Sequence, residues 1–450
     1  MRLHEAASAL QATATGPDVA FDVVATDSRN LPPGALFVAL RGERFDGHAY
    51  AARALELGAA AVMVEASAKL GLAPAIVVPD TRLGLGRLAA WHRHRMPARV
   101  AAITGSNGKT TVKEMLAAIL FAEAGESAVL ATRGNFNNEI GMPLTLLRLA
   151  PEHRYAVLEM GMNHAGELDY LSRLAEPDVA LVNNALRAHL EGLGSVEAVA
   201  RAKGEIYAGL KADGVALVNA DDAHAGLWQK LAGGRRVVTF GLDAGDIRGE
   251  CQLQPNGAKL VLYTPAGRVA TRLAVPGLHN VRNAVAAAAL AHVLGIPLAS
   301  IADGLARFTG VKGRLQAHPC ILGARLIDDT YNANPDSVAA AIAVLAAQPG
   351  TRLLVLGDMG ELGADAVSLH REIGATARAA GIDRLLCLGE MSVEAVAAFG
   401  PGAMHFERIE ELLAEIEVAL GPDVTVLVKG SRFMKMERVV QSFLENQTCS

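Results

Sequence analysis

Apolar and polar residues alternate along the chain in the pattern expected for strands that are buried on both faces. Short apolar runs recur, and a polar or glycine-containing turn and a segment with helical spacing commonly follow them. Such uninterrupted runs predict central strands of a parallel sheet, because helices cover both faces of that sheet. The predicted strands span residues 35–40, 60–64, 75–78, 100–103, 155–159, 179–182, 215–218, 353–356, 384–388 and 424–428.

The sustained alternation of strands and helices predicts an α/β protein with three domains. Residues 1–97 read as a small α/β unit, and residues 98–312 as a larger domain with a mainly parallel sheet. Within it, short alternating segments at 235–275 predict an antiparallel appendage, followed by an alanine-rich helix at 279–294. Residues 313–450 alternate strands and helices as in a Rossmann-like domain, but they lack a GxGxxG motif, so a dinucleotide is not implied.

Composition narrows the class of protein and of partner. The chain has 450 residues, 51% of them hydrophobic, and only 4% aromatic, so its cores must rely on Ala, Val and Leu. A net charge of −5 gives no long-range attraction to nucleic acid or to an anionic membrane. The four cysteines have no CxxC spacing, no apolar run is long enough for a membrane span, and the N-terminus does not resemble a signal peptide. We therefore expect a cytoplasmic protein.

The strongest chemical motif is the sequence TGSNGKTT at residues 104–111, between a predicted strand and a predicted helix at 112–122. Glycines let backbone N–H groups approach phosphate oxygens, and the N-terminus of the helix favours anions. In such a loop Lys109 would reach the β- and γ-phosphates and Thr110 would contact Mg²⁺. The general phosphate-loop pattern has a glycine where this chain has Ile103. We interpret the motif as an ATP site; the alternative is an ordinary glycine turn between a strand and a helix.

Further polar residues at the ends of predicted strands are candidates for metal binding. Glu159 ends the run 155–159 and, together with Thr110, could hold Mg²⁺, which prefers oxygen ligands. The alternative is a surface carboxylate. His189 and Lys203 are unremarkable when each is taken alone, since a loop histidine is usually structural and a helix lysine is usually solvated.

Three polar segments are candidates for ligand binding, and each has a simpler interpretation. The asparagine-rich loop 135–139 suits a sugar or peptide ligand, or is an ordinary turn. The run 328–337 could bind ribose hydroxyls or a metal, or cap the following helix with Asp336 or Ser337. Two turns near the N-terminus could hold a phosphorylated ligand or be solvated loops; they carry Ser28, Arg29, Arg41 and His48.

Taken together, the motifs between about Thr26 and Val440 resemble those of the Mur ligases. The resemblance rests on TGSNGKTT, GNFNNEIGMPLTLL, LEMGMNH, AHLEGLGSVEAVARAKGEI, GLHNVRNA, GRLQ, DDTYNANPDS, VLGDMGELG and VKGSRFMKMERVV. The phosphate loop with its departure at Ile103 is similar to that of the whole family. GNFNNEIG, DDTYNANPDS and GDMGELG are similar to the member that uses D-alanyl-D-alanine. Leu193 departs from the aromatic residue that is frequent in the family at this position.

The resemblance implies an N-terminal domain for the UDP end of the substrate, a central ATPase domain and a C-terminal domain that closes. It also implies an ATP- and Mg²⁺-dependent ligase that adds D-alanyl-D-alanine to UDP-N-acetylmuramoyl-tripeptide through an acyl phosphate. This is the last cytoplasmic step of peptidoglycan precursor synthesis, and we expect a monomer. The alternatives are the amino-acid-adding Mur ligase of the preceding step, a folylpolyglutamate synthetase-like enzyme, and an ATP-switched binding protein.

The resemblance also implies roles for individual residues. Lys109, His189 and Lys203 would be catalytic. The nucleotide would be bound by Gly105, Ser106, Asn107, Gly108, Lys109, Thr110, Thr111, Asn280, Asn283, Arg314 and Asp329. One Mg²⁺ would be held by Thr110 and Glu159, and a second by His189 and a carbamylated Lys203. The UDP-tripeptide would contact Ser28, Arg41, Asn137 and Asn138, and D-alanyl-D-alanine would contact Tyr331, Asn332, Asn334, Asp358 and residues 429–432.

Overall fold

The computed structural model describes residues 1–43 and 45–444, which form three separate sheets of five, nine and six strands. Helices flank mostly parallel strands in each sheet, so the predicted three-domain α/β class is confirmed. No helix within the described ranges combines the length and apolarity that crossing a bilayer would require.

The first sheet has the strand order β1-β5-β4-β3-β2, with only β1 antiparallel to its neighbour. Its inner strands coincide with the apolar runs predicted to be strands. The elements are α1 Leu3–Ala9, β1 Thr13–Thr15, β2 Val24–Ala25, β3 Leu36–Val38, α2 Ala51–Glu56, β4 Ala61–Glu65, β5 Ala75–Val78 and α3 Thr81–His94.

The central sheet has the order β14-β13-β12-β11-β10-β9-β6-β8-β7. Its strands are β6 Arg99–Thr104, β7 Val129–Ala131, β8 Tyr155–Glu159, β9 Val179–Val182, β10 Val215–Asn219, β11 Arg236–Gly241, β12 Ile247–Gln254, β13 Gly257–Thr264 and β14 Gly267–Leu273. Its helices are α4 Lys109–Ala124, α5 Gly141–Leu146, α6 Glu167–Ala175, α7 Leu190–Leu193, α8 Val196–Gly204, α9 Ala225–Leu231, α10 Leu278–Val293 and α11 Leu298–Arg307.

Strand β6 lies between β8 and β9, and both pairings are parallel. The chain leaves β6 toward β7 and β8 on one side and later returns to β9 on the other side. In open α/β sheets, ligands bind at the carboxyl ends of strands where the strand order reverses in this way. The topology therefore places the segment after Thr104 at the point in the sheet that is best suited to a nucleotide.

The predicted antiparallel appendage at 235–275 is only partly correct. Strand β11 pairs in parallel with β10 and continues the main sheet. Antiparallel pairing begins with β12 and β13 and extends to β14. The short turns at 255–256 and 265–266 permit only hairpins there, because a parallel connection needs a long crossover.

The third sheet has the order β15-β16-β20-β17-β18-β19, with only β15 antiparallel. The elements are β15 Gln316–Pro319, β16 Arg325–Asp329, α12 Pro335–Ala346, β17 Thr351–Gly357, α13 Ala366–Ala379, β18 Arg384–Leu388, α14 Val393–Phe399, β19 Ala403–Phe406, α15 Ile409–Ala419, β20 Val424–Lys429 and α16 Glu437–Phe443. The predicted cap of α12 is wrong in one detail. Asn334 is the N-cap, and Ser337 completes a capping box with it.

Helix α3 joins the first two units through a continuous apolar core that includes Leu85, Leu88 and Leu171. The Arg93 Nε atom donates a hydrogen bond of 3.0 Å to the carbonyl of Ala175, on helix α6. The first sheet is thereby anchored to the central domain rather than attached only by a linker.

Helix α4, which follows the phosphate loop, is packed tightly against α11. A Cβ atom added at Gly304 would fall on the backbone of Ile119. We expect Gly304→Ala to lower the free energy of unfolding by about 1–3 kcal/mol, although alanine is intrinsically the better helix former. Urea denaturation measures this change.

The matched control is Gly226→Ala, on helix α9, where an added Cβ meets no atom within 4 Å. This variant is expected to be neutral or more stable by up to about 1 kcal/mol. Equal shifts in the two variants would show that the contact between α4 and α11 is not as close as described.

Candidate functional site

A cavity of about 1260 Å³ opens at the carboxyl end of β6, between the central and third domains. The segment 106–111 forms one wall, and residues 329–337 of the third domain face it. Of the predicted nucleotide and metal ligands, all line this cavity except Gly105 and Lys203. The structure thus brings together side chains that are separated by more than 200 positions in the sequence.

The phosphate loop turns sharply into helix α4 at Gly108, which has a φ of +81°. Helix α4 begins at Lys109 rather than at the predicted Val112. A Cβ atom at position 108 would collide with the side chains of Asn183 and Asn283. Glycine is required there both for the left-handed backbone and for this close approach.

Two asparagines that sequence reasoning missed, Asn183 and Asn184, fix the shape of the loop. The backbone N–H of Asn107 donates to Asn184 Oδ1 at 2.9 Å, and Asn183 Nδ2 donates to the Asn107 carbonyl at 3.0 Å. Both residues directly follow β9, the neighbour of β6. A polar pair at the end of a predicted parallel strand was the available signal for them.

Lys109 lies inside the loop, and its Nζ atom donates to the carbonyl of Gly105 at 2.7 Å. Desolvation lowers the pKa of Lys109, and the carboxylate of Glu159 opposes that shift. At the mouth of the helix, Arg314 of the third domain donates from Nη2 to Thr110 Oγ1 at 2.9 Å. A lysine, an arginine and the helix N-terminus therefore converge on one point, which suits a polyanion.

Glu159 is buried at the end of β8 and has one unused carboxylate oxygen. Its Oε1 atom accepts a hydrogen bond of 2.9 Å from Asn137, whereas Oε2 is buried without a partner. Burying a carboxylate oxygen without a hydrogen-bond partner costs free energy unless a cation binds to it. Glu159 and the hydroxyl of Thr110 thus fit Mg²⁺, whose remaining ligands are typically water and phosphate oxygens. Among the described residues no cluster of three or more His, Cys, Asp or Glu side chains forms a preformed metal cage.

His189 lies across the same cavity and contacts the third domain. Its Nδ1 atom is 2.8 Å from Glu361 Oε2, and this hydrogen bond lowers the pKa of Glu361. Both residues have positive φ angles, 59° and 62°. Glu361 lies within the VLGDMGELG segment, but sequence reasoning did not single it out.

Lys203 is almost completely buried near the end of helix α8, with 1% of its surface exposed. Its side-chain amine forms no hydrogen bond or ion pair within the part of the chain that the structure describes. Desolvation, reinforced by the charge of Lys109, lowers its pKa well below the usual value for lysine. Burial of this kind disfavours the charged form of the amine.

Asp329 at the end of β16 is paired with Lys429 at the end of the adjacent strand β20. Lys429 Nζ lies 2.6 Å from Asp329 Oδ2 and also donates to the carbonyl of Asn332 at 2.9 Å. Burial raises the pKa of Asp329, and the ammonium of Lys429 opposes that shift. Beside this pair, the Arg314 guanidinium stacks 4.3 Å from the centre of the Tyr331 ring.

The side chains of Asn107 and Asn334 join the phosphate loop directly to the third domain. Asn334 Nδ2 donates to Asn107 Oδ1 at 2.8 Å, and Asn107 Nδ2 donates back to Asn334 Oδ1 at 3.2 Å. Asn332 has a structural contact instead, since its Oδ1 atom accepts from the backbone N–H of Ala333 at 2.9 Å.

Arg187 forms the charged part of the same domain contact. Its guanidinium donates to Asp336 Oδ1 at 2.8 Å and to Glu372 Oε2 at 2.8 Å. These carboxylates raise the pKa of Arg187 above its ordinary value. Sequence reasoning missed Arg187, because its partners lie far away in the chain.

Asn280 and Asn283 line the cavity beside the phosphate loop, on the first turns of α10, and Asn283 Oδ1 accepts from Asn183 at 3.0 Å.

Four residues predicted to contact the substrate either form structural hydrogen bonds or lie outside the cavity. Asn138 lines the cavity, but its Oδ1 atom accepts a hydrogen bond from the backbone N–H of Gly141 at the start of α5. Three predicted contacts lie outside the cavity, namely Ser28, Arg41 and Asp358.

The surroundings of these three residues are well defined. Asp358 accepts backbone hydrogen bonds from Met391 and Ser392, at 3.2 and 2.8 Å, which fixes the start of α14. Arg41 pairs with Glu65 at 3.0 Å. Ser28 and Arg41 follow the parallel strands β2 and β3, so they lie at the same edge of the N-terminal sheet.

His279, in the lining of the cavity, predicts a pH dependence of stability. Burial, together with the charges of Lys429 and Arg282, lowers its pKa from 6.5 to about 4. Between these values the unfolded chain binds more protons than the folded one, so the free energy of unfolding falls as the pH falls. We expect the free energy of unfolding to decrease less in His279→Gln than in wild type between about pH 7.5 and about pH 5, as measured by urea denaturation.

The same substitution at the exposed His4 controls for the loss of a histidine. An identical pH dependence in wild type and His279→Gln would contradict the prediction.

Comparison with known proteins gives matches along most of the chain. Residues 21–101 match the family model described as "Mur ligase family, catalytic domain", residues 103–291 match "Mur ligase middle domain", and residues 313–432 match "Mur ligase, glutamate ligase domain". The chain is 47% identical over 439 residues to the UDP-N-acetylmuramoyl-tripeptide–D-alanyl-D-alanine ligase of Escherichia coli, with 96% of each chain covered.

Two solved structures are similar over nearly their whole length. One is UDP-N-acetylmuramoylalanyl-D-glutamyl-2,6-diaminopimelate–D-alanyl-D-alanyl ligase from Acinetobacter baumannii, with 36% identity, a TM-score of 0.87, and coverage of 98% of this chain and 97% of that one. The other is MurF ligase from Thermotoga maritima in complex with ADP, with 26% identity, a TM-score of 0.83, and coverage of 93% and 96%.

Proposed function

The chain belongs to the Mur ligase family, and from this premise we propose that it joins D-alanyl-D-alanine to UDP-N-acetylmuramoyl-tripeptide at the expense of ATP. One structural observation carries the proposal. Lys109, the unused oxygen of Glu159 and the polar run 329–337 face one another across a single cavity. The relatives named above favour this reaction over the amino-acid addition of the preceding step.

The proposed chemistry solves the problem that a carboxylate is a poor acceptor for an amine. A terminal carboxylate oxygen of the tripeptide attacks the γ-phosphorus of ATP, and ADP departs. The amine of D-alanyl-D-alanine then attacks the carbonyl carbon of the acyl phosphate, loses a proton and expels inorganic phosphate. The net products are an amide, ADP and phosphate.

Residues of this chain have defined parts in that scheme. The N–H groups of the phosphate loop and Lys109 would neutralise charge on the transferred phosphoryl group. Arg314, 2.9 Å from Thr110, would bring a further cation from the third domain to the same phosphates. Asn280, Asn283 and Asp329 would contact the nucleoside. Closure of the third domain would thereby depend on the nucleotide.

Glu159 and Thr110 fit one Mg²⁺, and its buried carboxylate oxygen without a partner supports this assignment. When bound, Mg²⁺ supplies charge neutralisation and orients the phosphates. His189 and Lys203 would serve a second cation beside the acceptor carboxylate. Glu361 pairs with Nδ1 of His189, which leaves Nε2 to face the cation while the carboxylate fixes the orientation of the ring.

We infer that Lys203 is carbamylated. An ammonium cannot bind a cation, whereas a carbamate is an anion with two oxygen donors. The depressed pKa of Lys203 supports this modification, because only a neutral amine can attack CO₂.

The substrates would enter from two sides. Ser28 and Arg41 would bind the UDP end, and Asn137 and Asn138 would contact the peptide near Glu159. Tyr331, Asn332, Asn334 and residues 429–432 remain our candidates for D-alanyl-D-alanine, whereas Asp358 lies outside the cavity and is no longer a candidate. By analogy with the Acinetobacter relative, we propose that the tripeptide ends in diaminopimelate. We expect a monomer that acts in the cytoplasm.

The decisive experiment supplies purified protein with ATP and Mg²⁺, and adds UDP-N-acetylmuramoyl-tripeptide and D-alanyl-D-alanine together, each alone, or neither. Phosphate release and the mass of the peptide product are measured together. We expect both to require all the substrates. Rapid ATP hydrolysis without either peptide would instead indicate an ATP-switched binding protein.

A further inference from the structure

A second, smaller cavity of about 250 Å³ adjoins the active-site cavity beside Gly161. It lies between the start of helix α3, the loop before α5 and helix α6. Asn138, Glu139, Gly161 and Glu167 line both cavities, so the two spaces share a wall. Gly161 packs against the side chain of Asn137, which donates to Glu159, so the small cavity opens beside a residue proposed to contact the peptide.

The walls of this cavity are apolar, whereas its rim is charged. Leu83, Leu171 and the ring of Tyr170 provide the apolar surface. At the rim, Arg82 Nη1 and Glu139 Oε1 are 4.0 Å apart, with 56% and 36% of their side chains exposed. This arrangement suits a short aliphatic chain that ends in charged groups.

Arg82 and Glu139 retain their capacity to bind a ligand. Neither side chain forms a hydrogen bond with another described residue, and their mutual distance is at the limit for an ion pair. The other carboxylate of the rim is already engaged, because Glu167 accepts the backbone N–H of Asn163 at 2.7 Å and contacts His164 at 3.2 Å. One cation and one anion thus remain available at the rim.

We propose that this cavity recognises the side chain of the third residue of the tripeptide, and that Arg82 and Glu139 select diaminopimelate over lysine. The inference rests on the proposed function. The free end of diaminopimelate carries both a carboxylate and an ammonium group, which match Arg82 and Glu139 respectively. Its methylene groups would lie along Leu83, Leu171 and Tyr170.

Lysine would satisfy only half of this arrangement. Its ammonium group can pair with Glu139, but it lacks the carboxylate that Arg82 would bind. Arg82 is better suited than a lysine would be, because a guanidinium binds a carboxylate through two parallel hydrogen bonds.

The test compares three UDP-tripeptides that end in meso-diaminopimelate, in its side-chain amide, or in L-lysine. We expect Arg82→Gln to raise the KM for the diaminopimelate peptide about tenfold, since one exposed charged contact is lost. The KM values for the amide and lysine peptides, for ATP and for D-alanyl-D-alanine are expected to change less than about twofold. Glu139→Gln is expected to raise the KM for all three peptides, because each has the ammonium group.

The matched control is Arg87→Gln, on the same helix, where the side chain is exposed and does not line the cavity. It removes the same charge and is expected to leave all KM values unchanged. Thermal unfolding of each variant shows whether the fold is retained.

The proposal is overturned if Arg82→Gln affects all three peptides by the same factor, or leaves the diaminopimelate peptide unaffected while the wild type is active. If the wild type forms no product from any of the peptides, the proposed function itself fails.

Discussion

Replacing Lys109 with methionine is expected to lower the rate of phosphate release by about 10²–10³-fold, the effect of deleting one preorganised charge at a transferring phosphoryl group. The substitution keeps most of the aliphatic side chain and removes only the ammonium, which lies among the carbonyls of Gly105 and Ser106 at the start of α4. Phosphate release under saturating substrates measures the loss.

The ammonium does not stabilise the fold through an ion pair, since its hydrogen bonds go to the loop itself. We therefore expect the thermal midpoint to change little. Lys230→Met, at an exposed position on α9, controls for the substitution. Full activity of Lys109→Met would refute the assignment of the loop as the phosphate site.

Replacing Lys203 with alanine is expected to lower kcat by about 10²-fold or more. The reason is that the carbamate on Lys203 would bind the cation that stands beside the acceptor carboxylate. Short carboxylic acids added at high concentration are expected to restore part of the activity, because they can supply the missing anion in the space left by the side chain. Bicarbonate is expected not to help, since the variant has no amine to modify.

A direct measurement distinguishes modification from a structural role. Wild-type protein in ¹³C-bicarbonate is expected to show a carbamate carbon signal that Lys203→Ala lacks. Lys211→Ala serves as the control, since that lysine is half-buried and pairs with Asp178 at 2.8 Å. A retained signal in Lys203→Ala, or recovery with neither acid nor bicarbonate, would count against carbamylation. Because Lys203→Ala also deletes a buried aliphatic chain and leaves a cavity, the thermal unfolding of each variant is measured beside its activity.

The sequence predicts the inner strands well, because a strand buried on both faces must be apolar along its length. Strands β8, β9 and β18 have the predicted bounds. The short edge strands, such as β1 and β15, are mixed in polarity and give no comparable signal. The start of α4 was predicted too late because polar Lys109 and Thr110 interrupt the apolar spacing although their backbone is helical.

The site was predictable where its chemistry is local. The phosphate loop is one continuous segment, and Glu159 ends a strand that is adjacent to β6. Contacts between domains were not predictable, because they depend on the relative placement of sheets. Glu361 beside His189 is one example, and Arg187 beside Asp336 is another. Asp358 shows the opposite case, in which a polar residue in a characteristic motif has structural hydrogen-bond partners.

Two of the contacts that hold the third domain against the central domain differ in their response to ionic strength. The reciprocal amide bonds between Asn107 and Asn334 carry no net charge and are insensitive to salt. The ion pairs of Arg187 with Asp336 and Glu372 are partly exposed and are screened as the Debye length shortens. Added salt therefore weakens the ion pairs of Arg187 before it affects the asparagine pair, so the third domain would first lose its charged contacts and keep its amide contact with the phosphate loop.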